Sequence, residues 1–250
     1  WNLGDQIANH ILSATSSPLD FVLKDPAGMK LITEAVDAYD IAATQYKDIC
    51  GESGSDIFMT QNLNFTDIRT DLVAQIYRDL EHRSSHAFTS MEVGKLESKS
   101  EVGKQKLIFQ AVLKTCTRLT NEIEIIQKCF PARWMVDVQW GSCVAHQCCH
   151  QIKQQIGGGY GHNLPKFTIT QLLQLISWTE RYHEVMTRVF PDITIKQYED
   201  VNFGGNPHYR DNNSEKLQNE HIVESFIWSN NVLWEIQRMT QEEFLVRTQE

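Results

Sequence analysis

Apolar residues recur every three or four positions along most of the chain, which is the spacing of one face of an α-helix. The clearest run alternates steps of three and four through seven residues: Phe109, Val112, Cys116, Leu119, Ile123, Ile126 and Phe130. No segment alternates apolar and polar residues over the length that a β-strand needs. The pattern therefore predicts an all-α protein.

Capping residues, prolines and glycines divide this pattern into about six or seven long helices. Asp25-Pro26 and Thr168 are typical of helix starts, whereas Pro131 and Gly157 are typical of helix ends. The connections are mostly short, which favours antiparallel neighbours in an elongated, rod-like set of bundles. The first predicted helix ends near residue 12. The other six span about 25–50, 66–91, 101–130, 132–156, 168–190 and 219–250.

We predict two parts, with residues 1–95 as the N-terminal helices of the rod and residues 96–250 as a helical bundle. The helix predicted at 168–190 carries apolar residues on two sides, so we expect it to be central in that bundle. Residues 192–218 are polar and rich in Asn and Gly, and we predict a long loop there.

Charge and composition exclude several classes of function. The 250 residues carry a net charge of −9, which disfavours nucleic-acid binding because that binding depends on cations that neutralise phosphate. No apolar run approaches the roughly 18 residues of a membrane span. The six cysteines lack the spacing of a disulfide framework, which favours the cytosol. Because the chain begins at Trp1 and ends within a helical pattern, we interpret it as a fragment of a longer protein.

The stretch CVAHQCCH, residues 143–150, concentrates three cysteines and two histidines. On the helix predicted at 132–156, Cys148 faces the core and Cys149 lies at the edge of that face. The other three fall on the opposite, polar face: Cys143, His146 and His150. The five residues therefore do not converge on one point.

The outward three have i, i+3, i+7 spacing and are the candidate metal ligands of this chain. A structural zinc site needs a fourth ligand, which would have to come from another part of the chain. The segment also departs from H-E-x-x-H, because Gln147 stands where the catalytic Glu would be. We therefore favour a helix surface with core cysteines over a metal site.

No other motif predicts catalysis or a cofactor. The glycine-rich stretch at 157–163 lacks the Gly-Lys-Ser/Thr of a phosphate loop, and no G-x-S-x-G elbow is present. We therefore predict a non-enzymatic protein with no catalytic residue and no cofactor. Trp140 projects away from the predicted core face and is the candidate interaction anchor. The alternative is that Trp140 packs against a neighbouring helix of the bundle.

Three stretches together resemble a known family. They are Ile125–Pro131, which ends in Cys-Phe-Pro and is followed by Trp134, then Leu172–Trp178 with Tyr182 four residues on, and Ser229–Glu250. Their order and spacing resemble the middle portion of the Sec-six-type subunit of the exocyst, the exocyst complex component 3 family.

The resemblance covers about residues 66–190 and 219–250, and CVAHQCCH and the loop at 192–218 depart from it. It implies rod-like stacks of helical bundles and a non-enzymatic part in tethering secretory vesicles to the plasma membrane. The implied partners are other exocyst subunits and SNARE proteins, and membrane association would be indirect, through the complex. Two alternatives stay open: a helical adaptor outside the exocyst, and a metal-binding helical enzyme that uses the candidate ligands above.

Overall fold

Helices account for all regular structure in the residues that the computed structural model describes, which are 18–52, 68–89, 101–158, 160–189 and 214–249. The prediction of an all-α helical bundle is confirmed. Seven α-helices lie in these ranges: α1 (Pro18–Lys24), α2 (Pro26–Glu52), α3 (Ile68–His86), α4 (Glu101–Gln127), α5 (Val136–Ile156), α6 (Ile169–Val189) and α7 (Ser214–Gln249). Two 3-10 turns accompany them, Ala132–Trp134 and Leu164–Lys166.

The helices form two compact units that no single cut along the chain separates. Unit 1 comprises the described residues of Trp1–Glu81 and Ile125–Asp137, and unit 2 comprises those of His82–Glu124 and Val138–Glu250. The sequence predicted a division between residues 95 and 96. That boundary lies outside the described residues, and the structure groups the segment after residue 124, which holds the end of α4 and the following turn, with the N-terminal helices.

In unit 1, the predicted cap at Asp25 is present, because its carboxylate accepts a hydrogen bond from the backbone N–H of Gly28 at 2.9 Å. Side chains on α2 then bind the segment that follows α4. The Thr33 hydroxyl donates to the carbonyl of Cys129 at 2.6 Å, and the Trp134 indole donates to the Asp37 carboxylate at 2.9 Å. These bonds satisfy backbone and side-chain groups that burial would otherwise leave unpaired.

The end of α4 differs from the prediction of one helix to residue 130 and another from 132. Regular α-helix stops at Gln127, and 3-10 hydrogen bonds continue to Cys129. Met135 then adopts a left-handed backbone with φ of 52°, which an α-helix cannot contain. The next helix therefore begins at Val136, and the predicted start near residue 132 is wrong.

Unit 2 contains the predicted cap at Thr168 and the predicted stop at Gly157. The Thr168 hydroxyl accepts from the backbone N–H of Gln171 at 3.3 Å, and the Gln171 amide oxygen accepts from the N–H of Thr168 at 2.9 Å. This reciprocal pair is a capping box. Gly157 has φ of +82°, and a Cβ there would lie 3.1 Å from the backbone nitrogen of Asn163. Only glycine suits that position.

Helix α7 packs along α6 and reaches the turn that precedes it. Arg247 near its end donates to the carbonyls of Pro165 and Phe167. The helix begins at Ser214, so the prediction of a loop through residue 218 is wrong for residues 214–218. The rest of that predicted loop lies outside the described residues, as do the predicted first helix and residues 95–100.

Candidate functional site

The segment CVAHQCCH lies on α5 and divides as its helical spacing predicts. Cys148 and Cys149 are fully buried, Cys143 is half-buried, and His146 and His150 are exposed. Within the ranges that the structure describes, no three His, Cys, Asp or Glu side chains are arranged to hold a metal ion. The candidate ligands Cys143, His146 and His150 are therefore not brought together into a metal centre.

Trp140 does not lie on the surface, so its prediction as an exposed interaction anchor is wrong. Its side chain is fully buried, and the neighbouring Gln139, predicted on the polar face, is only 6% exposed. The alternative prediction, that Trp140 packs within the bundle, fits this burial. Helix α5 is covered over a wider arc than one amphipathic face, as expected for a helix in the interior of a bundle.

Three buried thiols of unit 2 lie near one another or near Tyr182. Burial raises the pKa of Tyr182, Cys148 and Cys149 add to that rise, and Cys148 adjoins Cys116. Burial raises the pKa of Cys149 to about 11. Burial also raises the pKa of Cys116 well above its usual value, and the adjacent Cys148 thiol adds to the shift. The Cys116 and Cys149 thiols are therefore protonated at neutral pH, and both are packed in the interior of unit 2.

His183 and Trp234 join α6 to α7 in a stacked pair, with ring centroids 3.9 Å apart and planes inclined by 20°. Burial lowers the pKa of His183 to about 4, although the nearby amide of Gln237 opposes part of this change. The imidazole is therefore neutral at physiological pH. Its side chain is only 7% exposed and lies between the two helices, where it packs as a core side chain does.

An open groove of about 640 Å³ runs between α4 and α6, within unit 2. Its α4 wall is formed by Gln110, Leu113, Lys114, Thr117, Thr120 and Asn121. Its α6 wall is formed by Thr170, Leu173, Gln174, Ser177, Trp178 and Arg181. Each set follows steps of three and one, so each wall is a single stripe of one helix.

The groove has an apolar floor, and its border carries Lys114 and the ion-paired Arg181. Trp178 is 4% exposed, whereas Leu173 on the rim is 47% exposed. Lys114 and Arg181 are the charged residues of the lining, which contains no carboxylate. Arg181 pairs with Glu124 at 2.6 Å and with Glu184 at 2.8 Å.

Lys114 has no ion-pair partner among the described residues. It is exposed on the α4 side of the groove, within the part of the chain that the structure describes. An added carboxylate in the groove would therefore meet a cation that no internal acid already occupies.

Sequence reasoning missed this groove because most of its lining belongs to the polar faces of two helices. One signal was present. Leu173 belongs to neither of the apolar stripes that predict a central helix at 168–190, yet it is a large apolar residue. An apolar residue outside both stripes indicates a third contact surface on that helix.

The fold and groove define a helical-bundle protein with an open groove between two of its helices. No protein-family model, curated protein or solved structure matches the chain. None of the helices in the described part is both long enough and apolar enough to cross a membrane.

Proposed function

We propose that this chain is a non-enzymatic part of a Sec-six-type exocyst subunit, which tethers secretory vesicles to the plasma membrane before SNARE-mediated fusion. The observation that carries the proposal is the resemblance of three co-linear stretches to that family. Each of the three falls on an element with a defined structural role. These are the end of α4, the first half of α6 and the C-terminal part of α7.

The Cys-Phe-Pro stretch supports the proposal through its local structure in unit 1. It ends α4 and leads into a short turn that returns Trp134 to the buried ring of Phe130, with centroids 6.2 Å apart. The carbonyl of Trp134 accepts a hydrogen bond from the Tyr77 hydroxyl at 2.8 Å. A motif that builds a helix-to-helix junction suits a subunit whose function is to hold helices in a fixed arrangement.

The Trp-x3-Tyr stretch supports the proposal in the same way in unit 2. Trp178 and Tyr182 are both buried on α6, with ring centroids 5.5 Å apart. Burial keeps two ionisable neighbours of Tyr182 neutral, the Cys149 thiol and the His183 imidazole. These side chains stabilise a scaffold, which agrees with a non-enzymatic role.

Affinity purification tests the proposal. The full-length protein, tagged at one end and isolated from its own cells under mild conditions, should recover seven other large helical subunits, with SNARE proteins as further partners. A tagged helical-bundle protein of similar size from the same cells is the control. Recovery of none of the seven would reject the proposal, and recovery of a different stable partner set would assign the chain to an adaptor outside the exocyst.

The proposed location is the cytoplasmic side of plasma-membrane exocytic sites, with membrane association through the complex. The purified chain alone should therefore remain unbound when vesicles that contain anionic lipid are floated on a density gradient. Its net charge of −9 opposes direct attraction to such vesicles. Flotation of the isolated chain would contradict indirect association.

A further inference from the structure

We infer that the groove between α4 and α6 binds an acidic amphipathic helix of a partner protein. The inference rests on the shape, chemistry and charge of the groove. It goes beyond the exocyst proposal, because the groove would select the same kind of segment whichever complex contains the chain.

The shape of the groove suits a helix. Its α4 wall runs from Gln110 to Asn121 and its α6 wall from Thr170 to Arg181, so each wall covers eleven residue steps. At a rise of roughly 1.5 Å per residue, each wall is about 16 Å long, or about three turns. Two helical stripes of equal length suit an incoming helix of about three turns, with its side chains at i, i+3, i+4 and i+7 against the floor.

The chemistry of the groove suits an amphipathic segment. Leu113 and Trp178 form an apolar floor, and Leu173 on the rim leaves 47% of its surface open to solvent. A partner helix that covers these side chains would remove apolar surface from water, which is the main driving force of such contacts. The amides of Gln110 and Gln174 are exposed at the border, where they suit the polar edge of the incoming helix.

Charge selects the sign of the partner. The chain has a net charge of −9, yet the lining contains Lys114 and Arg181 and no carboxylate. Because Arg181 is already paired with Glu124 and Glu184, Lys114 is the cation most open to a new acid. A second copy of this chain would bring a net charge of −9, and nucleic acid would bring a phosphate with every nucleotide, so both meet a larger opposing field than a short segment with a few carboxylates does. A short acidic helix places its carboxylates beside Lys114 and adds little other charge.

Peptide binding to the full 250-residue chain tests the inference. The probe is a fluorescein-labelled sixteen-residue helical peptide with leucines at i, i+3, i+4 and i+7 and glutamates on both flanks, followed by fluorescence anisotropy at low salt. A second peptide carries lysine in place of every glutamate. We expect the acidic peptide to bind, and the basic peptide to bind at least about tenfold more weakly.

Two substitutions with matched controls locate the site. Leu173→Ser should weaken binding of the acidic peptide about tenfold, whereas Leu245→Ser, at a residue 55% exposed on α7, should not. Lys114→Glu should weaken binding about tenfold, whereas Lys104→Glu on the same helix, outside the groove, should not. All four positions are exposed, so circular dichroism melting curves should coincide with that of the parent chain.

Equal affinity of the parent chain and both groove variants would overturn the inference, as would equal binding of the two peptides. A dimer that sedimentation detects and that Leu173→Ser dissolves would overturn it in favour of a second copy. If the full-length protein recovers the seven exocyst subunits while the groove variants bind the peptide normally, only this inference fails. If groove-dependent binding is seen without those subunits, only the exocyst proposal fails.

Discussion

The imidazole of His183 makes the stability of unit 2 sensitive to pH in a defined window. Burial between α6 and α7 lowers its pKa from the ordinary value of 6.5 to about 4, and the ring stacks on Trp234 at 3.9 Å. In the unfolded chain the same imidazole binds a proton near pH 6.5. Between these two values the unfolded state therefore binds more protons than the folded state, so acid favours unfolding.

The magnitude follows from the two pKa values. Within this window, each unit by which the pH falls lowers the free energy of unfolding by about 1.4 kcal/mol for one proton. The titration of His183 therefore has almost no effect on the free energy of unfolding above pH 7. It lowers that free energy by about 2 kcal/mol at pH 5 and by about 3 kcal/mol below pH 4, where both states are protonated. A loss of this size is a substantial fraction of the free energy of unfolding of an ordinary domain.

Urea unfolding at pH 7.5, 6 and 5, followed by tryptophan fluorescence, measures this loss. His183→Gln removes the titrating group, so the free energy of unfolding of that variant should fall less between pH 7.5 and 5, by about 2 kcal/mol. Carboxylates titrate in both proteins and cancel in the comparison. His146→Gln, at an exposed histidine, is the matched control and should follow the parent chain. Parallel pH profiles for the parent chain and His183→Gln would refute the reasoning.

Three further predictions concern α5. Trp140→Ala should lower the free energy of unfolding by about 3–5 kcal/mol because it empties a fully buried site, whereas Trp228→Ala, at a residue 52% exposed, should cost much less in the same urea assay. Gly157→Ala and Gly158→Ala should each lower the free energy of unfolding by about 1–2 kcal/mol, because both glycines have left-handed backbone. The loss should be larger at Gly157, where the new methyl group meets Asn163, and equal midpoints in thermal melts would contradict this order. Under native conditions a maleimide should label half-buried Cys143 and leave the buried thiols of Cys116, Cys148 and Cys149 unlabelled until urea is added. Peptide mapping by mass spectrometry measures this order, and early labelling of a buried thiol would contradict the packing.

Local chemistry explains why much of the fold could be predicted. The caps at Asp25 and Thr168 and the stop at Gly157 depend on hydrogen bonds and backbone angles within a few residues, and all three are observed. The 3-4 rhythm from Phe109 to Phe130 predicts the buried stripe of α4 for the same reason. A helix carries its own spacing, so the sequence identifies its inward face without knowledge of the neighbours.

The errors arise where tertiary packing decides. Nothing in the residue type of Met135 predicts left-handed backbone, which is rare outside glycine and asparagine. The turn there is stabilised by distant groups in unit 1, among them Asp37, whose carboxylate accepts from the Trp134 indole. Likewise Trp140 and Gln139 extend beyond the predicted core face of α5, and only the number of helices around α5 determines how far its burial extends.

Of all these features, the groove depends most on tertiary packing. Its lining suits a partner helix better than it suits contact with water alone. Its two walls lie about fifty residues apart in sequence, and each alone has the composition of a hydrated helix face. Hydrated faces in an acidic protein usually pair their charges, however, whereas this opening has one cation without an internal acid in the described part of the chain, Lys114, and a half-exposed leucine, Leu173. Two distant segments of the chain thus contribute stripes of the same length to one opening, one with an unpaired cation and the other with an exposed apolar side chain, and an acidic amphipathic helix would use both.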